Sequence, residues 1–237
     1  MNQQTSSTTT GTPRRGRIRV AAGLVLSAGL LLSAAACGDK GDTGSGGDDP
    51  ATIAEAEIAV MKVCEQVNLD PLTAKVGGEF ETGPEDVGKG AGADAGGPQC
   101  TGQITLPELR VNANSEPSEM TNANLNVAVI PYSSNDGAAA EFDKRTTEVT
   151  GLTPEGQAVT DLSGSWTKGK VISGDGTSTS QVYALVQQDS YLLKIQLSYP
   201  SDAEYEDKYP FTTADLAAVF QEIMTPFHAA VTAKVGG

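Results

Sequence analysis

Near the C-terminal end, apolar and polar residues alternate with a period of two. Val182, Ala184 and Val186 fall on one face of 181–188, with Tyr183 and Leu185 on the other. After Gln188-Asp189-Ser190, the residues Tyr191, Leu193, Ile195, Leu197 and Tyr199 alternate with Lys194, Gln196 and Ser198. A two-residue period is that of a pleated strand, and the short polar turn predicts that the two strands form an antiparallel hairpin. Leu125, Val127 and Val129 alternate with Asn124 and Asn126 and predict another half-buried strand ending at Pro131. Weaker strand patterns cover 100–111, 157–162 and 165–172 around Trp166, with Gly174-Asp175-Gly176 as a turn. Pro107 has no N–H for a ladder and marks the first of these as an edge.

Elsewhere the period is helical. Thr52-Ile53-Ala54-Glu55 has the form of a capping box, and the apolar set Ile53, Ala56, Val60, Val63 and Val67 predicts a helix to about Gln66. Asp70-Pro71 opens a short helix that Gly77-Gly78 stops. Asn135-Asp136 caps a helix with Ala139, Phe142, Thr146 and Val149 on one face and Gly151 as its stop. A long final helix starts at about Thr213 and carries Leu216, Phe220, Ile223, Phe227 and Val231, with Pro226 predicted to kink it. Helices flanking a mostly antiparallel sheet make an α+β fold, an α/β/α-type sandwich, over a single domain at 52–235. Glu81–Pro98 is glycine-rich and reads as a long surface loop.

The N-terminal pattern is different. Arg14, Arg15, Arg17 and Arg19 precede an apolar run from Val20 to Leu32, then Ser33-Ala34-Ala35-Ala36-Cys37-Gly38-Asp39. A basic segment, a short apolar segment and small residues form an export signal. The run is shorter than the ~20 apolar residues of a membrane span. A cysteine at the first mature position is what a bacterial lipoprotein presents for acylation. The reading is therefore a lipoprotein signal at 1–36, an acylated Cys37, and a flexible Gly/Asp tether at 37–51. An ordinary secretory signal cut after the alanines is the alternative. Arg14-Arg15 leaves the general and twin-arginine export routes both open. Thioether-linked and amide-linked acyl chains together supply the multiple chains that stable anchoring requires.

Charge and cysteine count narrow the picture. The chain has 16 basic and 30 acidic residues, a formal −14, and loss of the four leader arginines takes the mature chain to −18. That excludes the basic footprint of nucleic-acid binding. With Cys37 acylated, Cys64 and Cys100 remain, and an even pair in an oxidising compartment predicts one disulfide, the alternative being a redox or metal-binding pair. The tether acids lack the spacing of a calcium loop.

Signatures of catalysis are sparse. His228 is the only histidine, which removes any triad or site needing two. Neighbouring acids such as Glu204/Glu206 and Glu141/Asp143 are the residue type for glycan hydrolysis. Tyr199, Tyr205, Tyr209 and Phe211 are interleaved with Asp202, Glu204, Glu206 and Asp207 between the last strand and the last helix. Tyrosines are amphipathic anchors, so these four aromatics are candidate recognition residues. The competing reading is that they close one end of the core.

Cys64-Glu65-Gln66-Val67-Asn68-Leu69-Asp70-Pro71-Leu72, the glycine-rich stretch ending Gly96-Gly97-Pro98-Gln99-Cys100, and the helix ending Gly151-Leu152 together resemble the actinobacterial DUF3558-type cell-envelope lipoproteins. The element order is also similar to mycobacterial small lipoproteins with a PsbP/Mog1-like sandwich. Either resemblance implies an envelope protein with no carried-over catalytic residue. The expectation is a lipid-anchored protein on the extracytoplasmic face of the cell membrane, acting as a non-catalytic interaction or accessory module without a cofactor. Its expected contacts are the membrane, through the acyl chains, and an envelope protein. The alternative is a binding protein for an apolar or glycolipid-like ligand, and a glycan-active enzyme ranks below both.

Overall fold

The strands that alternate in sequence are buried on both sides. Val182, Ala184, Val186, Leu193, Ile195 and Leu197 pack into one core, while Tyr183, Leu185 and Leu192 pack into a second on the opposite face. A strand buried on both faces needs a covering layer on each, and the chain supplies helices for both. The structure is a computed structural model that describes residues 50–92, 94–117, 121–152 and 157–236. The predicted signal, Cys37 and the tether up to residue 49 lie outside the described residues.

The described chain runs α1 (Pro50–Ala59), a 3-10 turn (Val63–Glu65), α2 (Asp70–Val76), β1 (Phe80–Val87), β2 (Gln99–Thr105), β3 (Asn122–Pro131), α3 (Asn135–Leu152), β4 (Ala158–Asp161), β5 (Lys168–Asp175), β6 (Thr179–Gln188), β7 (Tyr191–Pro200) and α4 (Thr213–Val235). The seven strands form one antiparallel sheet in the order β1-β2-β3-β7-β6-β5-β4. The predicted hairpin is β6–β7, with Val182 opposite Leu197, Ala184 opposite Ile195 and Val186 opposite Leu193. One face is covered by α4 with α1 and α2, and the other by α3. This is the expected antiparallel sheet with flanking helices, closed by the expected disulfide between Cys64 and Cys100.

α4 is amphipathic as predicted. Leu216, Phe220, Ile223, Met224, Phe227 and Val231 are all buried. Its cap is Thr212, one residue earlier than expected, in a reciprocal box. The Asp215 N–H donates to Thr212 Oγ1 (3.1 Å) and the Thr212 N–H to Asp215 Oδ2 (2.9 Å). The helix continues past Pro226 to Val235 because that proline lies on the exposed face, where water can satisfy the carbonyl it frees.

Three expectations are corrected. The first helix does not reach Gln66. It ends at Ala59, buries Ala54 and Ile58, and leaves Val60 78% exposed. Leaving the helix there lets the 3-10 turn carry Cys64 to Cys100, with the Cys64 N–H donating to Asp86 Oδ1 (2.9 Å). Tertiary closure thus overrides the helical pattern. The glycine-rich segment 81–98 is not a loop throughout, since 80–87 form β1. This edge strand tolerates Gly83 and Pro84 through register irregularities between Phe80 and Glu85. That addition makes β2 an interior strand, so Pro107 lies beyond its end rather than on an edge.

The face under α3 holds a charge network. Lys194, on β7 at the centre of the sheet, is 4% exposed, and its Nζ lies 3.2 Å from Asp94 Oδ2. Arg145 of α3 grips the same carboxylate at 2.6 Å and 3.3 Å, while its Nε donates to Glu141 Oε1 (3.0 Å). Burial alone would raise the Asp94 carboxyl, but hydrogen bonding to Arg145 and the charges of Lys194 and Arg145 outweigh it and hold it below the ordinary range. Burial pulls the Lys194 ammonium down, and Asp94 opposes that only in part.

Replacing both Cys64 and Cys100 with Ala frees a covalent loop spanning 36 positions and should cost about 3–4 kcal/mol on the chain-entropy model. The check is a urea unfolding curve of the double variant beside the wild type. An unchanged midpoint would contradict it. Asp94→Asn leaves Lys194 buried without its anion, at a cost of roughly 3–5 kcal/mol near neutral pH. The native Asp94 pKa is depressed, so its stabilisation is present above the unfolded carboxylate pKa of about 3.9 and is lost as pH falls through the folded value. The melting-temperature gap between wild type and Asp94→Asn should therefore narrow in acid, and a gap that stays constant would refute this linkage.

Candidate functional site

Three of the four candidate recognition aromatics are inside the core. Tyr199, Tyr209 and Phe211 are buried, and only Tyr205 is half-exposed. Tyr209 stacks on Phe211 at 5.1 Å, and Tyr199 meets both edge-on at 5.8 and 5.5 Å. This corrects the recognition reading for Tyr199, Tyr209 and Phe211, whose rings close one end of the main core. Burial also raises the Tyr199 phenol. Two of the intervening acids serve the segment itself. Asp207 accepts a two-pronged bond from Arg110 (2.8 and 3.0 Å), and Asp202 accepts from the Tyr209 N–H (3.0 Å). Glu204 and Glu206 face water.

His228 is buried, edge-on to Trp166 at 5.6 Å, with Nε2 3.4 Å from Thr232 Oγ1. Burial pulls its pKa down against the opposing pull of Asp189. Glu141 is bound to Arg145, and Asp143 to Lys168 at 2.9 Å. Among the described residues no group of three or more His, Cys, Asp or Glu side chains is placed to hold a metal ion.

The concave surfaces formed by the described residues include three clefts, each defined by the residues that line it. One cleft of about 570 Å³ lies among Ser133, Ser134, Asp189, Ser190 and Thr232, beside the start of α1. Another of about 570 Å³ adjoins Trp166, Asp143, Lys168 and Lys170. Both are open and rimmed by polar groups. The third, about 300 Å³, is smaller and also open, but its lining is mostly carbon, and that makes it the candidate site for an apolar ligand.

This third groove lies between the layers at the β4 edge of the sheet. Its sheet wall is built from the cross-strand pairs Ala158–Ser173 and Thr160–Val171. Its helix wall is Ala214, Ala217, Ala218 and Gln221 of α4, spaced i, i+3, i+4, i+7 on one face. Large residues on the neighbouring face of α4 fill the core, whereas three methyl groups here leave space unfilled. The helix is strapped to the sheet at both ends of the groove. At one end Gln221 receives the Ser163 N–H and donates to the Ser163 carbonyl, each at 2.8 Å. At the other, Thr213 Oγ1 donates to Asp175 Oδ2 at 3.2 Å. Held apart by these straps, the walls offer a ligand apolar contact, two hydroxyls (Thr160 and Ser173) and the outer edge of β4, which pairs with no other described strand.

Sequence reasoning singled out none of the groove residues. The signal was present as small residues at 214, 217 and 218 in a helix otherwise rich in large apolar ones. Its meaning depends on β4 lying opposite, which no local pattern specifies.

The chain matches no protein-family model, no curated protein and no solved structure.

Phe211→Ala opens a cavity in the buried aromatic cluster and should cost about 3–5 kcal/mol. Tyr205→Ala, at the half-exposed position, should cost less than half as much. Paired thermal melts decide this, and equal losses would count against the division between plug and surface.

Proposed function

We propose that the protein is a lipid-anchored extracytoplasmic module of the cell envelope that works by binding rather than catalysis. In this reading acyl chains on Cys37 hold it to the membrane, the Gly/Asp segment gives it reach, and the β4–α4 groove is its binding edge. The groove carries the reading. It is a concave, carbon-lined surface, strapped at both ends, at an edge of the sheet that is unpaired among the described residues. The sequence pattern before Cys37 supports the anchor, and no helix among the described residues is long and apolar enough to cross a membrane.

The same lining favours a second reading, a binding protein for an apolar or glycolipid-like ligand. The groove volume of about 300 Å³ stands at the lower end of small-molecule sites. An alkyl or acyl segment would bury its methylenes against Ala214, Ala217, Ala218 and Val171, at about 0.8 kcal/mol each.

Ala218→Leu tests both. Ala218 is exposed on the groove wall, so the larger side chain should occupy the groove while stability stays within about 0.5 kcal/mol. The full chain is crosslinked in membranes and purified in detergent, and its co-purifying proteins and extracted lipids are compared with those of Ala218→Leu. Loss of a protein supports the module, loss of a lipid supports the ligand reading, and no difference in either refutes the groove as the binding edge. Cys37→Ala should move the protein from the membrane fraction to the soluble fraction. Retention in the membrane fraction would refute the anchor.

A further inference from the structure

The Arg145–Lys194 pair lies on the sheet face opposite the groove and has a use the binding edge does not explain. Lys194 falls on the polar side of its strand's alternation, yet it is buried, and a buried ammonium requires an anion. That anion comes from neither the sheet nor α3, but from Asp94 in the connection between β1 and β2. Its two oxygens take both prongs of the Arg145 guanidinium, and Oδ2 also takes the Lys194 ammonium. A planar fork plus a point cation converging on two oxygens is the arrangement that recognises carboxylates and phosphates in general.

Two further observations separate this arrangement from a simple structural ion pair. First, the backbone of Asp94 is held independently of its carboxylate. Gln99, fully buried, accepts from the Asp94 N–H (3.2 Å) and donates to the Asp94 and Ala91 carbonyls (2.6 Å each). The carboxylate can therefore leave by side-chain rotation while the main chain stays clamped. Second, the surroundings contain more polar capacity than Asp94 uses. The hydroxyls of Tyr132 and Tyr183 lie beside Arg145 and interact with its guanidinium. Arg145 itself stays 21% exposed, so the site opens to solvent at its α3 end.

We propose that Arg145 and Lys194 form an oxyanion-binding site for a small carboxylate-bearing ligand, occupied in this state by the side chain of Asp94 as an internal stand-in. A ligand enters by displacing Asp94 into solvent, and the Tyr132 and Tyr183 hydroxyls, beside the same guanidinium, are placed to donate to it. The proposal does not depend on the groove or on the membrane anchor.

The test removes the stand-in. The full chain carrying Asp94→Ala is titrated with acetate at constant ionic strength, chloride being the reference anion. Thermal stability and the Arg145 side-chain N–H resonance are followed. Acetate should raise the melting temperature of Asp94→Ala above that in chloride. It should also bind at least about tenfold more tightly than to wild type, because an intramolecular competitor at high effective concentration is gone. The gain should vanish in Asp94→Ala/Arg145→Met. Phosphate is the second arm, and a larger response to it than to acetate would reassign the ligand as a phosphate. If Asp94→Ala does not fold in chloride, recovery of folded protein in acetate is the same readout. No response to either anion, no recovery in either, or an equal response in the double variant overturns the proposal.

Discussion

Burial of the central strands on both faces is the constraint from which the rest follows. β3, β7 and β6 occupy the middle of the sheet, and their side chains meet α4 on one side and α3 on the other. A residue there is apolar or draws polar partners, since an unpartnered polar group costs several kcal/mol, and the exceptions among the described residues are single acceptor atoms, Asn126 Oδ1 and Gln187 Oε1. That is why Lys194 draws an acid in from a remote connection. It is also why Gln99, on β2 next to β3, spends both ends of its amide on main chain and on Asn126, whose Nδ2 donates to it at 2.6 Å.

Towards the edges the constraint relaxes, and the two edges use that freedom differently. β1 is irregular, mostly exposed and tied to the core through the neighbouring Cys64–Cys100 bridge. β4 is four residues long and exposed throughout, and the helix facing it is lined with alanine. Short length and the Asp161–Lys170 pair (2.8 Å) protect β4 from indiscriminate pairing while leaving a shaped recess behind it.

What the sequence discloses depends on how local its cause is. The β6–β7 hairpin, β3, the stop of α2 at Gly77 with its left-handed backbone, and the amphipathic α4 all arise from short-range periodicity, and all are present. The cysteine pairing was legible because only two thiols remained once Cys37 was set aside. The first helix was misread because its end is dictated by a partner 36 positions away at Cys100. β1 was hidden by Gly83 and Pro84, which argue against a strand except at an edge, and edge status belongs to the sheet and not to the segment. The aromatic run at 199–211 was ambiguous because one composition suits both a docking surface and a plug. Only the stacking of Tyr209 on Phe211 decides between them. The groove depends on a strand and a helix more than fifty positions apart, and no window holds both.

The sheet also has a seam. β1, β2 and β3 follow one another in space as in sequence, and so do β4, β5, β6 and β7. Only β3 and β7 join strands distant in the chain, with sixty positions between Pro131 and Tyr191 at their nearest pair. Each meander forms through short loop closures, but the seam closes last in entropic terms and sets the pace, placing the domain among the slower single-domain folders. Until that seam closes, the inner edges of β3 and β7 stay open. Pairing between neighbouring copies is the hazard in that interval, and the net negative charge of the chain, a formal −14, keeps those copies apart.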